Sequence, residues 1–222
     1  MVKKRWILLV DTLTLGAALI YPTKEVLAQN ITTDGTLGAP ETLSGPNYNI
    51  PQSLGQTVNS NLFHSFGKFN LNSNEAAIFQ SGNDINNIFS RVTGGSPSSI
   101  NGLIRTLGQD VNLFFLNPSG IIFGPNASLD VSGSFLASTA DSFVFGNDLE
   151  FSATNPQEAP LLTVNFTPGL QYGQNHPSRT IENQGNLTVG SKQRLILAGN
   201  QVTITGSLTA PQGIVELLVI TG

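Results

Sequence analysis

The chain contains no cysteine, which excludes disulfides, thiolate metal sites and cysteine nucleophiles. Charged residues make up only 11% of its 222 positions, against about a quarter in ordinary soluble domains. The polar surface must therefore be built from Asn, Ser, Thr, Gln and Gly. Asn, Ser and Gly are weak helix formers, so the composition favours strands and tight turns. The formal charge of −4 argues against nucleic acid as a partner, because phosphate binding needs clustered Lys and Arg. There are two histidines, His64 and His176, far apart and outside any metal-ligand spacing. The sequence has no G-x-S-x-G elbow, no H-E-x-x-H and no phosphate-cradling loop.

What is present begins with a leader. Lys3, Lys4 and Arg5 precede an apolar run from Trp6 to Ile20, and Val26-Leu27-Ala28 follows a short polar stretch. This order is that of a secretory signal, residues 1–28, cleaved after Ala28. The alternative is a membrane anchor, but the run is shorter than the roughly 20 residues needed to span a bilayer, and Asp11 lies inside it. No cysteine stands near the cleavage site, so a lipid-anchored lipoprotein is excluded. No membrane span is expected after cleavage. A secreted chain without disulfides must be held by burial and backbone hydrogen bonds, and it stays able to thread a narrow pore unfolded.

Residues 29–60 are polar and punctuated by Gly and Pro, with β-like pieces near Ile31 and Thr36. NLFHSFGKFNL predicts one or two short strands. EAAIFQSGNDINNIFSRVTGG has mixed character: Ile85, Ile88 and Phe89 fall at helical spacing, and a turn of helix or a strand-turn-strand both fit. From Ser99 onward short apolar alternations (INGLIRT, VNLFFL, GIIFG, SLDVSG, SFLAST) are separated by Gly, Asn, Pro or Ser. Residues 146–180, rich in Pro and polar residues, predict an excursion with its own strand at Leu161–Phe166. GNLTV and GSLTA then repeat at an interval of 21, as do RLILAG and VELLVI, the latter with inward parity slipped by one. A period near 20 with several tiny strands points to a solenoid coil. The leucine-rich repeat spacing is missing, and a β-sandwich would favour longer hairpin strands. The expected fold is all-β, a parallel β-helix.

Asp110, Asp130 and Asp141 could stack as a carboxylate row if they fell one coil apart, with Arg105 as the nearby base; this is what a β-helix carbohydrate-active enzyme would need. A passive surface module for glycans would instead need exposed aromatic rows, whereas most of the 13 Phe read as core. The sequons at Asn30, Asn126, Asn165 and Asn186 read as polar β-turns. No catalytic residue, cofactor or metal is expected, and the chain is expected not to be an enzyme.

The run SRVTGGSPSSINGLIRT…VNLFFLNPSGIIFGPNASLDVSGSFLAST resembles the N-terminal secretion domain of filamentous haemagglutinin-like exoproteins (TpsA-type) of the two-partner secretion pathway. The resemblance covers most of residues 30–150, within a domain expected over 29–222. Its most specific element is Asn117-Pro118-Ser119-Gly120-Ile121, similar to the family's N-P-N-G-I motif with Ser in place of the second Asn. Arg91–Gly95 and Asn101–Ile104 match the family's upstream stretch; the N-P-N-L motif is missing, and SGNDINN stands where it would lie. The resemblance implies a right-handed β-helix with an N-terminal β-cap. It implies recognition of residues 117–121 by a partner outer-membrane TpsB-type transporter with periplasmic POTRA domains. Export through periplasm and outer membrane to the cell surface or medium follows. The family's effector activities, such as adhesion through a host or neighbour-cell surface ligand, haemolysis or contact-dependent toxicity, reside beyond this domain or in its extended repeats. GIVELLVITG closes the sequence on an apolar strand with no polar cap. The chain is therefore expected to be a fragment of a longer exoprotein, a truncated frame, or a protein whose last strand pairs with something else.

Overall fold

A computed structural model describes residues 30–146, 149–160, 169–173 and 179–219. The expected leader, the strand expected at Leu161–Phe166 and His176 lie outside the described residues.

The described chain folds as a β-solenoid of six turns. The first turn is built from β1 (Ile31–Thr33), β2 (Asn47–Ile50), a single 3₁₀ turn (Gln52–Leu54), β3 (Gln56–Val58) and β4 (Asn61–Phe69). The second holds β5 (Ala76–Gln80), β6 (Asn87–Val92) and β7 (Ser98–Ile100); the third holds β8 (Leu103–Leu107), β9 (Asn112–Leu116) and β10 (Ile121–Phe123). The fourth runs through β11 (Ser128–Asp130) and β12 (Phe135–Ser138). It leaves the solenoid for β13 (Ser142–Val144), β14 (Glu150–Ser152) and β15 (Gly169–Gln171), and returns as β16 (Thr180–Asn183). The fifth is β17 (Asn186–Thr188), β18 (Arg194–Gly199) and β19 (Gln201–Ile204), and the sixth β20 (Ser207–Thr209) and β21 (Ile214–Val219).

Three parallel faces result. One runs β4-β6-β9-β12-β18-β21, a second β2-β5-β8-β11, and a third β7-β10-β16-β19, with β17-β20 continuing the second face as a pair of its own. β1 and β3 lie antiparallel along β4 and cover its outer edge, which is the N-terminal β-cap.

Alternation along each strand gives the solenoid its interior. In one inward column Leu62, Ile88, Leu113, Phe135 and Leu195 sit in register on successive coils, all fully buried. Beside it runs His64, Ser90, Phe115, Ala137 and Leu197. At the start of the same face Asn61, Asn87 and Asn112 form a ladder: Asn87 Nδ2 donates to Asn61 Oδ1 (2.9 Å), Asn112 Nδ2 donates to Asn87 Oδ1 (3.0 Å), and the Ser134 amide donates to Asn112 Oδ1 (2.8 Å). Each rung aligns the next strand and satisfies side-chain groups at the corner.

The structure departs from the sequence reading at four places and decides between two readings at a fifth. NLFHSFGKFNL is one strand of nine residues, because both of its faces are buried. The mixed segment takes the strand-turn-strand reading, one of the two that fit: Ile88 points into the solenoid while Phe89 packs on the opposite face, so the helical spacing is the coincidence of two opposite faces. Thr36 lies in a hydrogen-bonding bend after β1 rather than in a strand. The excursion starts at Ser142 instead of 146, since β13 is already antiparallel to its neighbours. The last long repeat pairs at an interval of 20: Leu195 faces Val215 and Leu197 faces Leu217, which restores the parity that an interval of 21 would break.

Candidate recognition site

Residues 117–121 form the corner between β9 and β10, where the third coil passes from one face to the next. The Gly120 amide donates to the Asn117 carbonyl (3.1 Å), closing a four-residue turn with Pro118 at its second position. Gly120 has φ +117°, a conformation closed to other residues without strain. Ile121 then enters the core, fully buried.

Asn117 is fully buried and its amide is fully used. Nδ2 donates to the Ser96 carbonyl (3.0 Å) and to Ser98 Oγ (2.9 Å) one coil below. Oδ1 accepts from the Ser119 amide (2.9 Å), and the Asn117 amide donates to the Ser138 carbonyl (2.9 Å) one coil above. The residue thus ties three coils together. Pro118 is buried as well, and Ser119 is the one member of the five that is partly exposed. In the folded chain the corner presents little for another protein to read.

The upstream segments have structural tasks of their own. Gly94 passes so close to the coil below that a Cβ there would collide with the Gly67 carbonyl. The Asn101 Oδ1 accepts from the Asn126 amide (2.9 Å) and from Asn126 Nδ2 (3.3 Å), linking two corners. SGNDINN is the turn between β5 and β6, and it carries Ile85 into the core.

Two charged clusters escaped the sequence reading. Arg91 is fully buried: Nε donates to Ser65 Oγ (2.8 Å), Nη1 to the Ser152 carbonyl (2.8 Å), and Nη2 to Thr36 Oγ1 (2.9 Å) and the Gln157 carbonyl (2.6 Å). Its guanidinium lies 4.0 Å over the Phe151 ring. Burial lowers its pKa to about 10, with the nearby Asp34 charge acting in the other direction. Burial pushes the Asp34 carboxyl up, but hydrogen bonds from Ser65, the Thr36 amide, Thr93 and the Thr36 hydroxyl outweigh it and hold the group below its ordinary value. The signal for Arg91 in the sequence was a lone Arg inside an apolar strand. Asp141 and Arg179 form the second cluster, a buried ion pair (2.6 Å) at the neck of the excursion.

The three aspartates do not form a row. Asp110 sits at a turn with φ +54°, Asp130 is exposed on β11 against Arg105 (2.6 Å), and Asp141 is buried at the neck. Of the phenylalanines, eleven are buried, Phe114 is partly covered and Phe166 lies outside the described residues, so no exposed aromatic row is present among the described residues. Among them, no group of three or more His, Asp or Glu could hold a metal ion. Nor is any helix there long and apolar enough to cross a membrane.

Fold and corner together define a class: a capped parallel β-solenoid with an extra-helical sheet inserted in one coil. Residues 29–222 match the TPS secretion domain family, and the chain belongs to that family. The fold is similar to that of the HMW1 secretion domain from Haemophilus influenzae, with 25% identity and a TM-score of 0.58 over 80% of this chain. The chain spans 41% of that structure's length. No curated protein matches the chain in sequence. The family is one of secretion domains and not of enzymes, and such domains belong to proteins that are secreted or reach the cell surface.

Proposed function

We propose that this chain is the N-terminal secretion-recognition and folding-nucleation domain of an adhesin-like exoprotein. Its partner would be an outer-membrane transporter of the TpsB type, met in the periplasm through POTRA domains after the leader is cleaved behind Ala28. The observation that carries the reading is the family match over residues 29–222. The absence of cysteine supports it, since nothing covalent hinders passage of an extended chain. So does a solenoid closed at its N-terminal end by antiparallel strands, on which later coils can stack one at a time.

The transporter reads residues 117–121 before they fold. Asn117, Pro118, Gly120 and Ile121 are all buried once the third coil is closed, so their side chains and backbone are available only in the extended chain. Such a chain can be held by strand addition to a sheet edge. The test is binding to the transporter's periplasmic domains. A peptide spanning 99–138 is expected to bind, Asn117→Ala and Gly120→Ala within it are expected to weaken binding, and the folded domain is expected to compete poorly. Binding by the folded domain but not by the peptide would overturn the reading. Export in cells co-expressing the transporter gives the second measurement: undiminished secretion of both variants would remove the corner from recognition. N-terminal sequencing of the exported chain is expected to begin at Gln29.

A further inference from the structure

The outward side of the β4-β6-β9 face carries an aromatic strip. Phe63, Phe89 and Phe114 lie in register on three successive coils, stacked at 5.2 and 4.7 Å. The excursion covers this strip. Phe143, Phe145 and Phe151 meet it edge-on: Phe151 to Phe63 at 4.9 Å, Phe145 to Phe89 at 5.3 Å, Phe143 to Phe89 at 5.5 Å. These rings form a second core, separate from the solenoid interior.

The cover is a sheet of its own. β13 pairs antiparallel with β14 and β15, and none of the three joins a solenoid face. Three strands of three residues have little stability alone, so the cover's order depends on docking. Arg91 makes two of its polar ties to the coils, holding the Ser152 and Gln157 carbonyls, and the Tyr172 hydroxyl lies 3.0 Å from Ser138 Oγ on β12. The Ala159 amide adds a bond to Gln56 Oε1 (3.2 Å). The other half of the Arg91 site comes entirely from Asp34, Thr36, Ser65 and Thr93. All of these precede residue 94, so the guanidinium is held in place by the first two coils before the cover follows in chain order. At the neck, Arg179 Nη1 bonds the Thr139 carbonyl (3.1 Å) and Asp141, while Asp141 also accepts from the Gly173 amide.

We propose that the sheet of β13, β14 and β15 is a latch that closes over the aromatic strip after the first three coils and β12 have stacked, with Arg91 as its catch. The strip is complete at residue 114 and its cover starts only at residue 142. During N-to-C folding the strip is therefore open until the latch arrives. In the native chain the latch is the low-stability unit, opening while the coils stay paired. This proposal concerns how the chain folds and opens, not what the transporter reads, and its failure would leave the transporter reading untouched.

Amide hydrogen exchange on the full chain tests it. The Phe145 and Ala153 amides, bonded to Leu149 and Asp141 within the latch, report on the cover. The Thr93, Asn112 and Asn117 amides, bonded from coil to coil, report on the solenoid. In Arg91→Met the latch amides are expected to exchange roughly tenfold faster or more, with the coil amides unchanged. A parallel rise in both sets would overturn the proposal. If that variant does not fold, pulse-labelled refolding of the unaltered chain decides. The coil amides are expected to become protected in an earlier phase than Phe145 and Ala153; protection of both in one phase, or of the latch first, would overturn it.

Discussion

At the scale of the residue, the corner at 117–121 has a folding role that can be measured apart from its proposed recognition. Asn117 uses its whole side-chain amide on Ser96, Ser98 and Ser119 in a site closed to water. Truncation leaves buried donors and acceptors unpaired, so Asn117→Ala is expected to cost about 2–4 kcal/mol, read as a fall in the urea midpoint with unchanged slope. Ser119 is different. Its backbone amide is held by Asn117, but its side chain is half-exposed at the turn. Ser119→Asn, which restores the family's motif, is expected to shift stability by no more than about 0.5 kcal/mol. A change of secretion in that variant would therefore report on recognition, whereas a large change of stability would show that the serine has a structural role. The turn itself was legible, because Asn, Pro and Gly at those positions have backbone consequences that need no tertiary information. The burial of Asn117 was not, since its partners Ser96 and Ser98 come from the coil below and the register of coils is not written in local sequence.

At the scale of the element, β4 carries the least accommodated group in the first turn. His64 is fully buried in the inward column, between Phe66 (6.0 Å) and Phe79 (5.7 Å), and neither ring nitrogen has a partner in full hydrogen-bond geometry. Burial drives its pKa down to about 4, with the Leu54 backbone acting the other way. The unfolded chain takes up this proton near pH 6.5 and the folded chain only near 4, so stability from this group is complete above 6.5 and is lost as pH falls through that window. The whole effect is about 3 kcal/mol. Urea midpoints between pH 7 and 4.5 are expected to fall accordingly, and His64→Leu is expected to flatten the curve there; an equally steep fall in the variant would assign the loss elsewhere. Asp34, held below its ordinary value, loses its contribution only at lower pH. Gly94→Ala, forced against the Gly67 carbonyl, is expected to destabilise the first two coils and to lower the urea midpoint at every pH. Strand periodicity showed most of these elements in the sequence, including the in-register pairs Leu187–Leu208 and Thr188–Thr209. It misled where both faces of a strand are apolar, as at Ile88 and Phe89, because a second core on the outer face erases the alternation from which a strand is recognised.

At the scale of the whole molecule, the solenoid and the proposed export route make opposite demands on the same chain. Outside the cell, six coils must stay stacked without a disulfide; on the proposed route, the chain in transit must be thin enough for a barrel. Neighbouring parallel strands lie about 4.8 Å apart, within the reach of a disulfide, so the folded structure would tolerate cross-links that transit would not. Glu182 and Thr203 face each other on β16 and β19, with Thr203 exposed and Glu182 partly so. The double variant Glu182→Cys, Thr203→Cys is expected to fold in vitro and, once oxidised, to gain up to about 3 kcal/mol from the closed loop. In an oxidising periplasm the same bond closes a loop in the unfolded chain and doubles its width at the pore. The double variant is therefore expected to accumulate in the periplasm, while each single variant, and the double variant kept reduced by added thiol, are exported at the unaltered level. Export of the oxidised double variant as efficiently as the unaltered chain would mean that looped or folded coils pass the barrel. The lack of cysteine would then have no bearing on the route.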